Sequence, residues 1–263
     1  MKQTIHPTAI VEDGAIIGEN VSIGAYSYIG SKVKIGDNTI ISSHALIEGN
    51  TTLGRDNKIF SHTVIGSIPQ DLKFDGGDVK LVIGNGNRIR EFALINTGTV
   101  GGGGVTKIGD DNLLMGYVHI GHDIQIGNRC IIANATNLGG HIEIGNFVVI
   151  GAMSAVHQFV KIGDYAMLAG ASALTQDLPP YCLAEGNRAT LRGLNLIGLR
   201  RNIKRENIDI LKRAYRELFE EQKPIIDVAI DLIDKDSCHE VIKMGKFIKN
   251  SKRGIPYKRK KNV

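Results

Sequence analysis

The sequence predicts an all-β chain over most of its length, a parallel β-helix of triangular section, followed by a small α-helical C-terminal domain. Three observations predict it. An aliphatic residue recurs at every sixth position from Ile5 to Ile65, returns in phase at Ile83, Ile89 and Ile95, and resumes one position late from Ile108 to Leu174. Glycine follows many of these aliphatics, and 32 Gly with no Trp suit thin stacked repeats better than a conventional globule. Beyond residue 190 the six-residue pattern is gone and apolar residues fall at helical spacing.

A period of six matches neither a helix at 3.6 nor a strand alternating at two. It matches a short strand plus a tight turn, with one inward aliphatic per unit. Glycine at the turn permits backbone shapes that other residues resist. Three units close a triangular coil of 18 residues, and coils stack through parallel ladders. At the ~4.8 Å spacing of neighbouring strands, about ten coils make a prism roughly 45–50 Å long. The prism occupies residues 1–189. The phase breaks near 66–82 and 96–107 read as loops extruded from it, where function is commonly carried. The pattern stops at QDLPPYCLAEGN, where Pro179 and Pro180 cannot donate to a ladder.

The helical domain occupies 190–263. In LRGLNLIGLRR, Leu194, Ile197 and Leu199 to Arg201 fall at helical spacing. In NIDILKRAYRELFEEQ, the residues Ile208, Leu211, Tyr215, Leu218 and Phe219 share one face. Pro224 opens a further helix. Ser237 and Glu240 form a capping box for the last one. The tail SKRGIPYKRKKNV reads as basic and loose.

Composition narrows the function classes. There is no apolar N-terminal signal and no run of about 18 apolar residues, so a cytoplasmic protein without a transmembrane segment is expected. Cys130, Cys182 and Cys238 show no metal or redox spacing and read as buried thiols. The net charge of +5 conceals an asymmetry: residues 1–189 hold 13 Lys/Arg against 17 Asp/Glu, and residues 190–263 hold 19 against 10. The basic end suits an acidic partner, with Lys243, Lys246 and Lys249 either a dock or a solvated face. No aromatic stacking platform accompanies the short basic run, which argues against nucleic acid.

Stacking by eighteens gathers chemistry at one corner. His122, Gly140 and Gln158 form one column. Asp123, His141 and Phe159 form the next, and Gly121, Gly139 and His157 a third. His44 and His62 make another pair, read as a stacked surface ladder. Three readings of the corner compete. Its polar residues can be exposed turn residues without a task. Three imidazoles suit a catalytic zinc, although His119, His122 and His141 would converge only where two prisms meet. Alternatively, a neutral imidazole takes a proton from a nucleophile, a carboxylate orients its ring, and a backbone N–H such as that of Gly140 holds an oxyanion.

Several blocks together resemble the UDP-N-acetylglucosamine O-acyltransferases of lipid A synthesis in Gram-negative bacteria. They are IHPTAIV, IPQDLKF, NRIRE, TVGGGGVTKIGDDNLLM, HIGHD, GNRCIIAN, GGHIEIG and AVHQF, and they span essentially the whole chain. The resemblance implies a left-handed β-helix and a homotrimer with active sites between neighbouring prisms. It implies transfer of a 3-hydroxyacyl chain from acyl carrier protein to the glucosamine 3-position of a UDP-sugar, with no metal and no cofactor. On this resemblance His122 is the general base, Asp123 orients it, and Gly140 N–H holds the oxyanion. His119, His141, His157 and Gln158 line the cleft. Gln70, Asp71 and Lys73 contact the acceptor, and Asn195 and Arg201 hold the nucleotide. Gly170, with Met167, shapes the end of the acyl groove, and an acyl chain of about 14 carbons is implied. The basic helices dock the acidic carrier protein.

The sequence departs from the family wording at Asn96, at Gly116, Tyr117 and Val118, at Gly121, and at Ile197 and Asn202. The changes near His119 and His122 raise a 3-amino acceptor sugar, giving an amide, beside the 3-hydroxyl one. An N-acyltransferase of the same pathway, a zinc carbonic-anhydrase-like enzyme and a non-enzymatic solenoid are the alternatives. The repeats begin at about residue 5, which leaves no place for the N-terminal uridine-binding domain usual in the first of these.

Overall fold

The computed structural model describes residues 4–221, 223–235 and 238–257. Most strands are only two residues long, and each carries one inward aliphatic. They join into three sheets, of eleven, nine and eight strands among the described residues, parallel except for the final strand of the eleven, with each inner strand paired on both sides. Ile5 pairs with Ile23 and Ile23 with Ile41, eighteen residues on each time. The inward aliphatics form one continuous core. Ile29, Ile47, Ile65, Ile95 and Ile120 are completely buried.

The two phase breaks are additions to single coils. Lys58 pairs with Arg88 thirty residues on, and Arg88 with Leu113 twenty-five residues on. The first insertion equals two repeats and leaves the phase intact; the second exceeds one repeat by a residue and shifts it. Both flanks are strand: Val64–Ser67, Lys80–Ile83, Leu94–Asn96 and Val105–Ile108 are ordered, so the extruded segments are shorter than the phase breaks suggest.

The glycines do not turn the corners in the way the pattern implies. The corner residues with left-handed backbone are mostly not glycine: Asn38, His44, Asp56, Tyr117, Asp123 and His141 have φ of 58–60°. Glycines after the aliphatics instead sit where coils touch. A Cβ on Gly145 would stand 2.7 Å from the Asp164 backbone nitrogen of the next coil. Close stacking, rather than positive φ, demands glycine there.

Down one corner the rings stack. Tyr26, His44, His62, Phe92 and Tyr117 follow one another with centroids 4.8–5.2 Å apart, so His44 and His62 are rungs of an aromatic ladder.

The ladder outlasts the two prolines. Cys182–Glu185 pairs in parallel with Met167–Leu168, and Thr190–Leu194 then turns back antiparallel. Leu194 therefore ends a strand, and the helix predicted over LRGLNLIGLRR shrinks to α1, Leu196–Leu199. Three helices follow, α2 (Arg205–Phe219), α3 (Ile225–Lys235) and α4 (His239–Lys249). Ile208, Leu211 and Leu218 of α2 are buried as their spacing predicts, with Tyr215 half-buried beside them. Cys238 is the N-cap residue of α4 and its side chain makes no capping bond; Ser237 lies outside the described residues. The tail is not loose as far as residue 257. Ser251 donates to the Asp177 carboxylate at 2.7 Å, the Asp177 N–H donates to Gly254 O at 2.9 Å, and the Leu191 N–H donates to Pro256 O at 2.7 Å. Ile255 of this strap is buried, and apolar burial overrides the basic composition.

Candidate active site

The chemistry-bearing corner follows the strand His119–Ile120. Ile120 points into the core and His119 to the other side, because successive residues of a strand face opposite ways. The turn that follows carries His122 and Asp123, and Asp123 adopts φ +58°. The next coil stacks directly on it: the His141 N–H donates to His122 O at 3.0 Å, and the Phe159 N–H donates to Gly140 O at 3.1 Å. The columns inferred from the sequence thus stand in contact. The His122 and His141 rings meet edge to face at 5.0 Å, and His141 stacks on Phe159 at 4.5 Å.

His122 and Asp123 are bonded, with Nδ1 2.8 Å from Oδ2. The Asp123 side chain is 1% exposed, against 16% for His122. The carboxylate accepts two further bonds, from the Thr99 N–H at 2.9 Å and the Thr99 hydroxyl at 2.6 Å. Both carboxylate oxygens already accept from Thr99, so toward His122 the carboxylate is an acceptor as well. Nδ1 of His122 is then the protonated nitrogen and Nε2 carries the lone pair, the form a proton acceptor needs. Gly140 makes room for the ring: a Cβ there would lie 2.5 Å from Cε1 and 2.7 Å from Nε2 of His122.

His119 is held apart from this pair. Its Nε2 lies 3.1 Å from Asn96 Oδ1, and Asn96 Nδ2 donates to Ser67 Oγ and Ile68 O, both at 2.9 Å. That network orients the amide with its oxygen toward His119, so Nε2 is the donor. Burial lowers the His119 pKa, and charge on His122 lowers it further. The zinc set of His119, His122 and His141 does not form within one chain, since His119 turns to Asn96. His122, Asp123 and His141 do place one ligand atom each within 4.8 Å of one another. In that trio Asp123 Oδ2 and His122 Nδ1 already bond each other.

The other predicted residues spread outward. His157 and Gln158 are exposed. His157 Nδ1 lies 3.1 Å from Gln158 O and 3.3 Å from Arg253 Nη2, and can serve only one of them. Gln70, Asp71 and Lys73 sit in the first extruded segment, where Asp71 Oδ1 accepts from the Lys73 N–H at 3.0 Å. Arg201 is exposed just after α1. Asn195 is buried and caps α1: Oδ1 accepts from the Gly198 N–H at 3.1 Å and Nδ2 donates to Tyr165 O at 2.9 Å. Its amide is engaged on both ends within the fold. Gly170 is exposed and Met167 half-buried on the prism. Lys243 is paired with Asp164, which ties α4 to the prism rather than leaving that lysine for a partner.

Sequence reading missed Thr99, Thr106 and Arg253. Thr106 Oγ1 accepts from the Asp123 N–H at 2.8 Å. Thr99 precedes Asp123 by twenty-four residues, outside the eighteen-residue register, because it lies within the second extruded segment itself.

Comparison with known proteins agrees with this architecture. Residues 177–256 match the family described as UDP N-acetylglucosamine O-acyltransferase, domain 2, and residues 14–49 and 106–140 match bacterial transferase hexapeptide repeats. The acyl-[acyl-carrier-protein]–UDP-N-acetylglucosamine O-acyltransferase of Sulfurimonas denitrificans is 68% identical over 97% of this chain and 98% of that protein. The enzyme of that name from Sulfurovum sp. is 65% identical over the same shares. The solved UDP-N-acetylglucosamine acyltransferase of Campylobacter jejuni superposes with a TM-score of 0.94 at 46% identity, covering 97% of this chain and 100% of that one. The prism is therefore the left-handed β-helix that the resemblance implied. With relatives this similar along nearly its whole length, the chain belongs to the UDP-N-acetylglucosamine O-acyltransferase family and is an acyltransferase.

Proposed function

We propose that the chain begins lipid A biosynthesis by moving a 3-hydroxyacyl group from acyl carrier protein to the glucosamine 3-position of UDP-N-acetylglucosamine, with His122 as general base. One observation carries the reading: a half-buried imidazole whose Nδ1 is 2.8 Å from a buried carboxylate, leaving Nε2 to take a proton. His122 removes the proton from the acceptor as it attacks the thioester carbonyl, and Asp123 steadies the imidazolium. The Gly140 N–H, for which no acceptor is found among the described residues, suits the oxyanion. The proton then passes from His122 to the departing thiolate. Direct attack fits the thiols, which are poor nucleophiles here: burial pushes Cys130 up to about 12 and raises Cys182 and Cys238 as well.

The homotrimer is supported by large apolar side chains left in solvent on the prism and its loops: Ile68, Leu72, Val100, Tyr117 and Met153 are 62–106% exposed. Copies of the chain would cover them and bring Gln70, Asp71 and Lys73 of one prism to the corner of its neighbour. No described helix is long and apolar enough to cross a membrane, which fits a cytoplasmic site. The basic helical end suits the acidic carrier protein.

The 3-amino analogue of the sugar is the alternative acceptor, and the Asn96–His119 bond favours it. With Nε2 donating to Asn96, His119 offers Nδ1 as a second proton acceptor beside His122. An amine presents two N–H groups to such a pair, and a hydroxyl one O–H. Purified protein given 3-hydroxyacyl carrier protein and each sugar, with products weighed by mass spectrometry, tests both readings. His122→Ala is expected to lose nearly all transfer with the trimer intact; retained activity sinks the base. Equal or better turnover on the 3-hydroxyl sugar counts against the amine.

A further inference from the structure

We infer that Thr99 is a positioning residue of the transfer reaction: through its backbone N–H and its hydroxyl it holds the Asp123 carboxylate, and through Asp123 it sets the tautomer and basicity of His122. The inference rests on the reading of His122 as the base.

The hydrogen inventory assigns the hydroxyl. The Gly102 N–H donates to Thr99 Oγ1 at 3.1 Å, so the hydroxyl proton itself is left for Asp123 Oδ2 at 2.6 Å. The Thr99 N–H takes the other carboxylate oxygen at 2.9 Å. One residue thus binds both oxygens. Thr99 is also the N-cap of the 3-10 turn Val100–Gly102, so the second extruded segment folds back on itself at the point where it grips the acid. The approach is close enough to require glycine at 102, where a Cβ would stand 2.1 Å from Asp123 Oδ2. Thr106 is fully buried and accepts the Asp123 N–H at 2.8 Å, fixing the backbone as Thr99 fixes the side chain.

A loop anchor alone does not need this chemistry. A buried carboxylate that faces an imidazole is aimed by its other donors. In metal sites, where the same carboxylate–histidine pairing orients a ligand, removing such outer partners costs ~10–100-fold in function. The sign of the electrostatic effect follows. With the hydroxyl gone, Asp123 has one donor fewer and holds the Nδ1 proton of His122 more strongly. The imidazolium is then favoured, and His122 becomes a free base only at higher pH. The titratable groups that face the pair are His141 of the next coil, with Nδ1 3.9 Å from Asp123 Oδ2, and His119, whose pKa burial and then the charge on His122 lower. Both remain in the Thr99 variants below.

The test compares Thr99→Val, Thr99→Ser and His122→Ala in the full-length protein by kcat, KM, pH–rate profile and thermal melting. It adds a double-mutant cycle of Thr99→Val with Asp123→Asn. Thr99→Val is expected to lower kcat ~10–100-fold with little change in KM, and to move the acid limb of the profile upward. Thr99→Ser, which keeps the hydroxyl, is expected to restore both. In the Asp123→Asn background Thr99→Val should cost little more, because its route to His122 is already cut. A wild-type kcat and acid limb in Thr99→Val overturn the inference. So does a Thr99→Ser variant as impaired as the valine one, or a valine effect that stays undiminished in the Asp123→Asn background. Should the valine variant melt early, the serine variant and the cycle decide on the same criteria. His122→Ala separates the two levels: an inactive alanine variant with an unaffected valine variant sinks Thr99 alone, and an active alanine variant sinks the base and Thr99 together.

Discussion

A methyl group at position 140 would stand 2.5 Å from His122 Cε1, closer than any real contact allows, so the ring would have to swing. Gly140 thus leaves the volume that the His122 ring fills, and the same coil contact that builds the prism seats that ring. A displacement of about 1 Å can cost ~10²-fold in rate. Gly140→Ala is therefore expected to lose at least that much in kcat while its far-ultraviolet spectrum and melting profile stay near wild type; full activity would show that the ring has room. Which residues form this corner was legible in the sequence, because stacking by eighteens needs only counting. What aims Asp123 was not. Thr99 reaches it from within an insertion that breaks the count, and Asn96 finds His119 from the start of the same insertion. Asn195 adds bonds that its residue type alone does not reveal: its amide caps α1 and donates to Tyr165 O.

At the level of the strand and turn, one aliphatic per unit was enough to predict the parallel ladder, since each two-residue strand has a single inward position. The job of the glycines was misjudged for a physical reason. A turn in the left-handed region costs a non-glycine residue ~1–2 kcal/mol, which makes glycine the natural expectation there. The fold accepts that cost at Asn38, Asp56, Tyr117 and others and places its glycines where adjacent coils would collide. Gly145→Ala should therefore act as an overpacking change. Its Cβ would lie 2.2 Å from Asp164 Oδ1, the acid that also binds Lys243. Overpacking of this kind costs ~1–3 kcal/mol, measurable as a lower midpoint in urea; an unchanged midpoint would show that Asp164 yields freely. The helices were harder to place, because Leu191 to Leu199 carries apolar residues compatible with both a strand and a helix, and the final strand of the first sheet claims its first half.

Across the whole molecule, the acidic prism and the basic helical end are tied by the Lys243–Asp164 pair and by the strap of residues 251–257. The coils themselves touch only their neighbours, and that has a mechanical meaning. A single chain pulled from its two ends should come apart as a spool does, one turn at a time, rather than in one rupture. Each ordinary coil stores 18 residues, which extend by about 60 Å at ~3.5 Å per residue. The coils carrying the two insertions store 30 and 25, so their releases should be about 105 and about 88 Å long. An optical-tweezers record would then show a ruler of equal steps with two longer marks, the two inserted loops read out as lengths of thread; a single all-or-none rupture would show that the coils do not yield independently.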